Sequence, residues 1–195
     1  MFEAIRYHLT HLTDPSGRDS RQTFWFHVLF LVLLHVGVSL AASIPMYLSM
    51  FGQAFDAAQS GADQADMMAS MFSDVADQLR IQMWVSVTLE IVMIGLFLAA
   101  FVRRLHDTGF SGWIAAIPVA TQLASAGWNL ANFDHIMTVM EGAMASVDSH
   151  QAAVLQNEIG VFGMIGWTGY LVVIGFGILK SQDGPNRYGA EPVRF

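Results

Sequence analysis

The stretch that decides the fold is Met83–Arg104, MWVSVTLEIVMIGLFLAAFVRR. From Met83 to Val102 it carries one formal charge, Glu90, and two arginines follow at once. A hydrocarbon core about 30 Å thick needs roughly 20 apolar residues in a helix. The run therefore predicts a membrane span over 83–102 with a basic stop at its end. Three further stretches meet the same requirement, at 24–48, 112–131 and 159–179. The third of the four is the most polar, since Thr121, Gln122, Ser125 and Asn129 interrupt it. The predicted fold class is an all-α integral membrane protein with four transmembrane helices, forming a single membrane domain over 1–195.

Composition points the same way. Hydrophobic residues make up 54% and charged residues 13%, about half the charged share of an ordinary soluble domain. Mean hydropathy is +0.45. The formal net charge of −7 argues against nucleic acid as a partner, because phosphate binding needs a basic surface. The absence of cysteine removes disulfides, thiol catalysis and thiolate metal sites. The first 23 residues are polar and the apolar run after them is too long for a secretory leader, so that run is expected to remain as a span.

Basic residues set the orientation. Arg6, Arg18 and Arg21 precede the first span, Arg103 and Arg104 follow the second, and Lys180, Arg187 and Arg194 follow the fourth. Only Arg80 lies on the other side. The positive-inside rule then places the N-terminal segment 1–23, the loop 103–111 and the tail 180–195 in the cytoplasm. The outer loops, 49–82 and 132–158, carry nine acids and are long enough to hold helices of their own. In the first, Met67, Met68, Met71, Phe72, Val75 and Leu79 recur at helical spacing, as do Ile136, Met137, Met140, Ala143, Met144 and Val147 in the second. Both are expected to be helical extensions that pack together. Their methionines fall on apolar stripes, where core packing outweighs a soft-metal site. Gly160, Gly163, Gly166 and Gly169 repeat every three residues, a stripe that lets helices approach closely.

Three short motifs lie at the inner face. They are Gly17-Arg18-Asp19-Ser20-Arg21 with Phe24-Trp25-Phe26, Val102-Arg103-Arg104-Leu105-His106-Asp107-Thr108-Gly109 with Ser111-Gly112-Trp113, and Gly184-Pro185-Asn186-Arg187-Tyr188-Gly189 with Pro192. In this order they resemble the domain of unknown function 805 family, the YhaH-like bacterial inner-membrane proteins. The chain departs from that pattern at Pro15, Gln22, Phe110 and Ile114. The resemblance implies a small multi-pass inner-membrane protein and supplies no activity, substrate or cofactor.

Two groups of residues are candidate sites. At the inner face stand Arg18, Arg21, Arg103, Arg104, His106, Asp107, Asn186, Arg187 and Tyr188. Arginines there suit anionic lipid headgroups or another phosphate-bearing ligand. The alternatives are that they only set topology, or that Arg104, His106 and Asp107 form a hydrogen-bonded cluster tying the tail to the central loop. The adjacent His106 and Asp107 invite a catalytic reading, but no Ser or Thr nucleophile motif accompanies them, and no catalytic residue is assigned. The histidines form no zinc pattern; no metal or cofactor is assigned.

Within the membrane, one polar side chain on each span falls at a similar depth. Counted at 1.5 Å per residue from the inner ends, Glu90 lies at about 18 Å, His35 at about 16 Å, Gln122 at about 15 Å and Thr168 at about 16–18 Å. They are expected to face one another, with Glu90 and His35 as the central pair. The chain thus reads as a binding or interaction component, with membrane lipids as partners and protein partners unknown. The rival readings are a small transporter or channel subunit using the polar layer, and a lipid-headgroup enzyme.

Overall fold

The computed structural model describes residues 1–60, 64–146 and 149–192, and side chains within these except at 57–58, 60–74 and 140–163. Every regular element among them is helical. A short α1 (Phe2–Thr10) precedes α2 (Arg21–Ser60) and α3 (Gln64–Asp107); a 3₁₀ turn (Gly112–Ala115) leads into α4 (Ala116–Ser146), and α5 (Ser149–Ile178) follows. Helices α2 and α3 form one antiparallel pair and α4 and α5 another.

The helical extensions expected in the outer loops continue the long helices, with α2 running to Ser60, α3 starting at Gln64, α4 running to Ser146 and α5 starting at Ser149. Helix α2 has 40 residues and α3 has 44, about 60 and 66 Å at the helical rise, roughly twice the thickness of a hydrocarbon core. On this side the exposed ion pair of Arg80 with Asp134, 3.1 Å, joins α3 to α4. The expected packing of Met67, Met68, Met71, Met140 and Met144 lies outside the described side chains. Helix α1 falls in a segment that showed no apolar run, and no helix was expected there. The first four residues of the third predicted span are 3₁₀ rather than α-helical.

Two helical segments, Arg21–Asp56 and Val75–Asp107, are long and apolar enough to cross a membrane, and Met164–Ile178 is a shorter apolar stretch. They are not the buried helices of a water-soluble core. Leu33, Leu40, Leu48 and Leu171 are each more than 60% exposed.

The buried apolar core is small and lies at the end where α3 and α5 finish. Phe24, Phe101, Leu105 and Ala115 form its centre, with Trp25, Phe97 and Phe176 against it. Phe97 and Phe101 stack at 5.3 Å. Close approach between helices depends on glycine. A Cβ at Gly169 would collide with Thr121 Oγ1 and lie 3.1 Å from Pro118 Cα on α4. At Gly177 it would lie 2.8 Å from the Trp25 ring. Gly166 and Gly169 therefore face inward, whereas Gly160 and Gly163 lie outside the described side chains.

This packing generates a test. Gly169→Ala should lower the melting temperature of the purified protein, by an overpacking cost of about 1–3 kcal/mol. Gly37→Ala, which meets open space, should leave it nearly unchanged. Equal melting temperatures for the two variants would show that the α4–α5 contact is not as close as described.

Candidate functional site

The inner-face motifs meet in one buried knot of charge. Helical spacing at the end of α3 puts Arg104 and Asp107 a turn apart, on a side shared with Arg103. Arg18 Nε and Nη2 donate to Asp107 Oδ1 at 3.1 and 3.0 Å, and Arg104 Nη1 donates to Asp107 Oδ2. Arg103 Nε donates to Asp19 Oδ2 at 2.9 Å. All five side chains are almost wholly removed from solvent, with Arg104 and Asp107 at 0% exposure.

Three guanidiniums thus face two carboxylates, and most of the other donors go to backbone carbonyls, with Arg104 Nη1 also donating to Ser181 Oγ at 3.2 Å. Arg18 reaches Gln182 O and Gly184 O, both at 2.6 Å. Arg103 reaches His11 O at 3.0 Å and also Asp14 O. Arg104 reaches Leu179 O and, at 3.4 Å, Asp19 O.

These contacts satisfy helix ends whose last carbonyls have no partner within the helix. At the end of α5, Gly177 O accepts from Trp25 Nε1 at 3.1 Å, Ile178 O from Arg21 at 3.5 Å, and Leu179 O from Arg104. At the end of α3, Arg103 O accepts from the Asp19 amide at 3.2 Å, His106 O from Asn186 Nδ2 at 2.9 Å, and Asp107 O from the Gln182 amide at 3.0 Å. The cations meet carbonyl ends and Asp19 precedes the N-terminus of α2, which is the sign each helix end favours. Ser20 Oγ accepts from the Thr23 amide there at 3.2 Å, capping α2.

The histidines are neutral members of this knot. His8 Nδ1 accepts from Arg103 Nη2 at 2.8 Å, and its ring stacks on His27 at 4.2 Å. Burial first, then His27 and Arg103, lowers the His8 pKa to about 3. Burial raises the Asp19 carboxyl to about 6 against the pull of Arg103. His106 faces Gly17 O through Nδ1 at 3.2 Å and stacks on Tyr188 at 3.8 Å; burial lowers its pKa. Its neighbour Asp107 is taken by the two arginines, so imidazole and carboxylate do not form a catalytic pair.

The sequence-derived inner-face residues therefore divide. Arg18, Arg103, Arg104 and Asp107 are buried in the knot. His106, Asn186 and Tyr188 hold the tail against the end of α3. Arg187 is exposed, lies 4.6 Å over the Tyr188 ring and reaches Gly109 O at 3.4 Å. Arg21 is exposed apart from its long contact with α5. Asp19, His8 and His27 were not singled out from sequence. Asp19 was legible as the acid inside the first motif, but nothing marked the two histidines, which meet only when α1 folds back on α2.

The intramembrane set also divides. His35, Glu90 and Gln122 line one cavity of about 420 Å³ between the four long helices. Among the described residues no hydrogen bond or ion pair joins Glu90 to His35. Thr168 departs from the expected layer. It is exposed on the other side of α5, where its hydroxyl donates to Met164 O at 3.2 Å. The physical reason is that Gly166 and Gly169 occupy the inward face, and at about 100° per residue Thr168 turns away from it.

Fold and site together define an all-helical protein with two membrane-capable helices, closed at one end by a buried ion-pair knot. The chain belongs to the family described as Protein of unknown function (DUF805), whose model matches residues 12–190, nearly its whole length. No curated protein and no solved structure matches it.

Two predictions follow from the knot's geometry. Asp107→Asn keeps the shape but strips two arginines of their counter-charge. It should cost about 3–5 kcal/mol, as breaking a buried pair does, read as a large loss of folded yield and melting temperature. Lys180→Gln, at an exposed pair, should be silent; equal effects would mean that the knot does not hold the fold. The second prediction concerns pH. Between pH 6.5 and about 3 the unfolded chain protonates His8 and the folded chain does not, so stability contributed here falls as pH drops through that window. The wild type's lead in melting temperature over His8→Gln should shrink from about pH 7.5 to about pH 5, by at most ~1.4 kcal/mol per unit. A lead that grows on acidification would mean His8 is protonated in the fold.

Proposed function

We propose that this chain is a four-span protein of the bacterial inner membrane that acts as a binding or interaction component. The spans lie at 24–48, 83–102, 112–131 and 159–179, both termini and 103–111 are cytoplasmic, and the segments at 49–82 and 132–158 project from the outer face. The observation that carries this reading is an inverted distribution of polarity. Long helices carry leucine, valine and tryptophan outward, while arginine and aspartate are buried at one end. Lipid accepts such an exterior, and water does not reward it. The eight-to-one bias of basic residues supports the orientation.

Anionic lipid headgroups are the partners proposed for the inner face, at the basic residues left outside the knot. Arg6, Arg21, Lys180 and Arg187 are exposed, and the exposed Trp113 (86%) and Phe2 (80%) are available as apolar anchors. Each basic side chain near an anionic surface contributes about 1 kcal/mol.

The chain has no cysteine, so single introduced thiols report topology cleanly. Ala58→Cys and Ser146→Cys should react with a membrane-impermeant maleimide in intact cells, and Ser111→Cys only after permeabilisation. Labelling of Ser111→Cys alone in intact cells would invert the orientation, and three equally reactive sites would rule out the four-span arrangement. In the same preparations, Arg21→Ala combined with Arg187→Ala should reduce co-purifying anionic lipid; unchanged lipid content would remove the headgroup assignment.

A further inference from the structure

The cavity between the helices has walls of one chemical character and a single formal charge. Helix α2 contributes Trp25 and Val28, α3 contributes Ile94 and Phe97, α4 contributes Val119, and α5 contributes Val173. Its volume of about 420 Å³ falls in the range of small-molecule sites. Polar wall residues are His35, Glu90 and Gln122, with the hydroxyl of Tyr170. No Lys or Arg lines it.

Among the described residues, Glu90 differs from the buried carboxylates Asp19 and Asp107. Asp19 and Asp107 each hold a guanidinium within 3.1 Å. Among the described residues, Glu90 has no hydrogen bond or ion pair, although it is half-buried in an apolar wall. A carboxylate in that setting is costly unless a cation meets it. Trp25, Phe97, Phe101 and Tyr170 also line the space and offer large apolar surfaces to a bulky ligand body.

We propose that this cavity binds a lipophilic organic monocation, an amine or quaternary onium group carrying an apolar body, with Glu90 as its counter-charge. The inference names a ligand class for the binding role proposed above. It does not depend on membrane orientation, which the thiol labelling tests separately. The apolar body fills the space between α2, α3 and α4, toward the end where Trp25, Phe97 and Phe101 line it, and the cationic centre lies against Glu90. Gln122 and His35 are the neutral polar groups at hand. A simple acyl chain would fill the apolar walls and leave the carboxylate unmet, so it accounts for only part of the site.

The test uses the purified full-length protein in detergent, with tetraphenylphosphonium as probe and tetraphenylborate, similar in shape and opposite in charge, as its control. Saturable binding of the cation, near one per chain, is expected, with none of the anion. Glu90→Gln should weaken cation binding at least tenfold. Acidification should weaken it in the wild type by protonating Glu90. His35 from α2 and Tyr170 from α5 are the other titratable groups in the wall, and α4 contributes none, so His35→Gln should retain that pH dependence. Val119→Trp fills the cavity while leaving the carboxylate, and should also abolish binding; it decides the matter if Glu90→Gln does not fold, as judged by gel filtration and thermal unfolding. Equal binding of both ions, unchanged affinity in folded Glu90→Gln or in Val119→Trp, or no saturable cation binding would each overturn the proposal.

Discussion

Helices α3 and α5 end at the same place, and their orphan carbonyls must be satisfied where water is largely excluded. That constraint organises the end of the molecule where the three sequence motifs meet. A lone buried guanidinium would be too costly to desolvate. Three of them, sharing two carboxylates and six carbonyls, place nearly every donor opposite an acceptor. Arg104 Nε is the exception, buried without a partner. Desolvation makes the arrangement sensitive to any missing partner, so segments remote in sequence are held in one register. Arg18 and Asp107 stand 89 residues apart, and Arg18 and Gly184 stand 166 apart.

Stability and recognition are thereby separated. The basic motifs look like a ligand site when read along the chain, because Arg is the residue that grips phosphate. Folded, most of that gripping capacity is spent on the protein itself. Among the described residues at this end, Arg6, Arg21, Lys180 and Arg187 remain exposed. The cavity follows the opposite rule. Its one carboxylate is left without a counter-charge in an apolar wall, so the free energy of pairing it is not spent within the described part of the protein.

Much of the helical layout was legible because burial in lipid requires long apolar runs, and these survive in sequence without knowledge of contacts. The extensions were legible as apolar stripes at 67–79 and 136–147, and over the described residues 67–79 and 136–146 they continue α3 and α4. Helix α1 was not. With nine residues it is too short to be stable alone, and its buried residues, Ala4 and His8, become meaningful only against α2. The depth of Glu90, His35 and Gln122 could be counted from helix rise, which is why all three reach one cavity. Thr168 could be placed in depth but not in rotation, since rotation is fixed by the glycines packing against α4.

What the sequence determined by itself was therefore which stretches form long apolar helices and how unevenly the basic residues are spread. These depend on local hydrogen bonding and on the cost of moving single side chains between water and lipid. Tertiary structure alone decided which arginines are internal, which histidines stay neutral, which face of α5 turns inward, and which carboxylate is left unpaired. Those outcomes depend on distances between residues far apart in the chain, and desolvation strengthens each charge interaction according to its neighbours. No reading of one segment at a time contains that information.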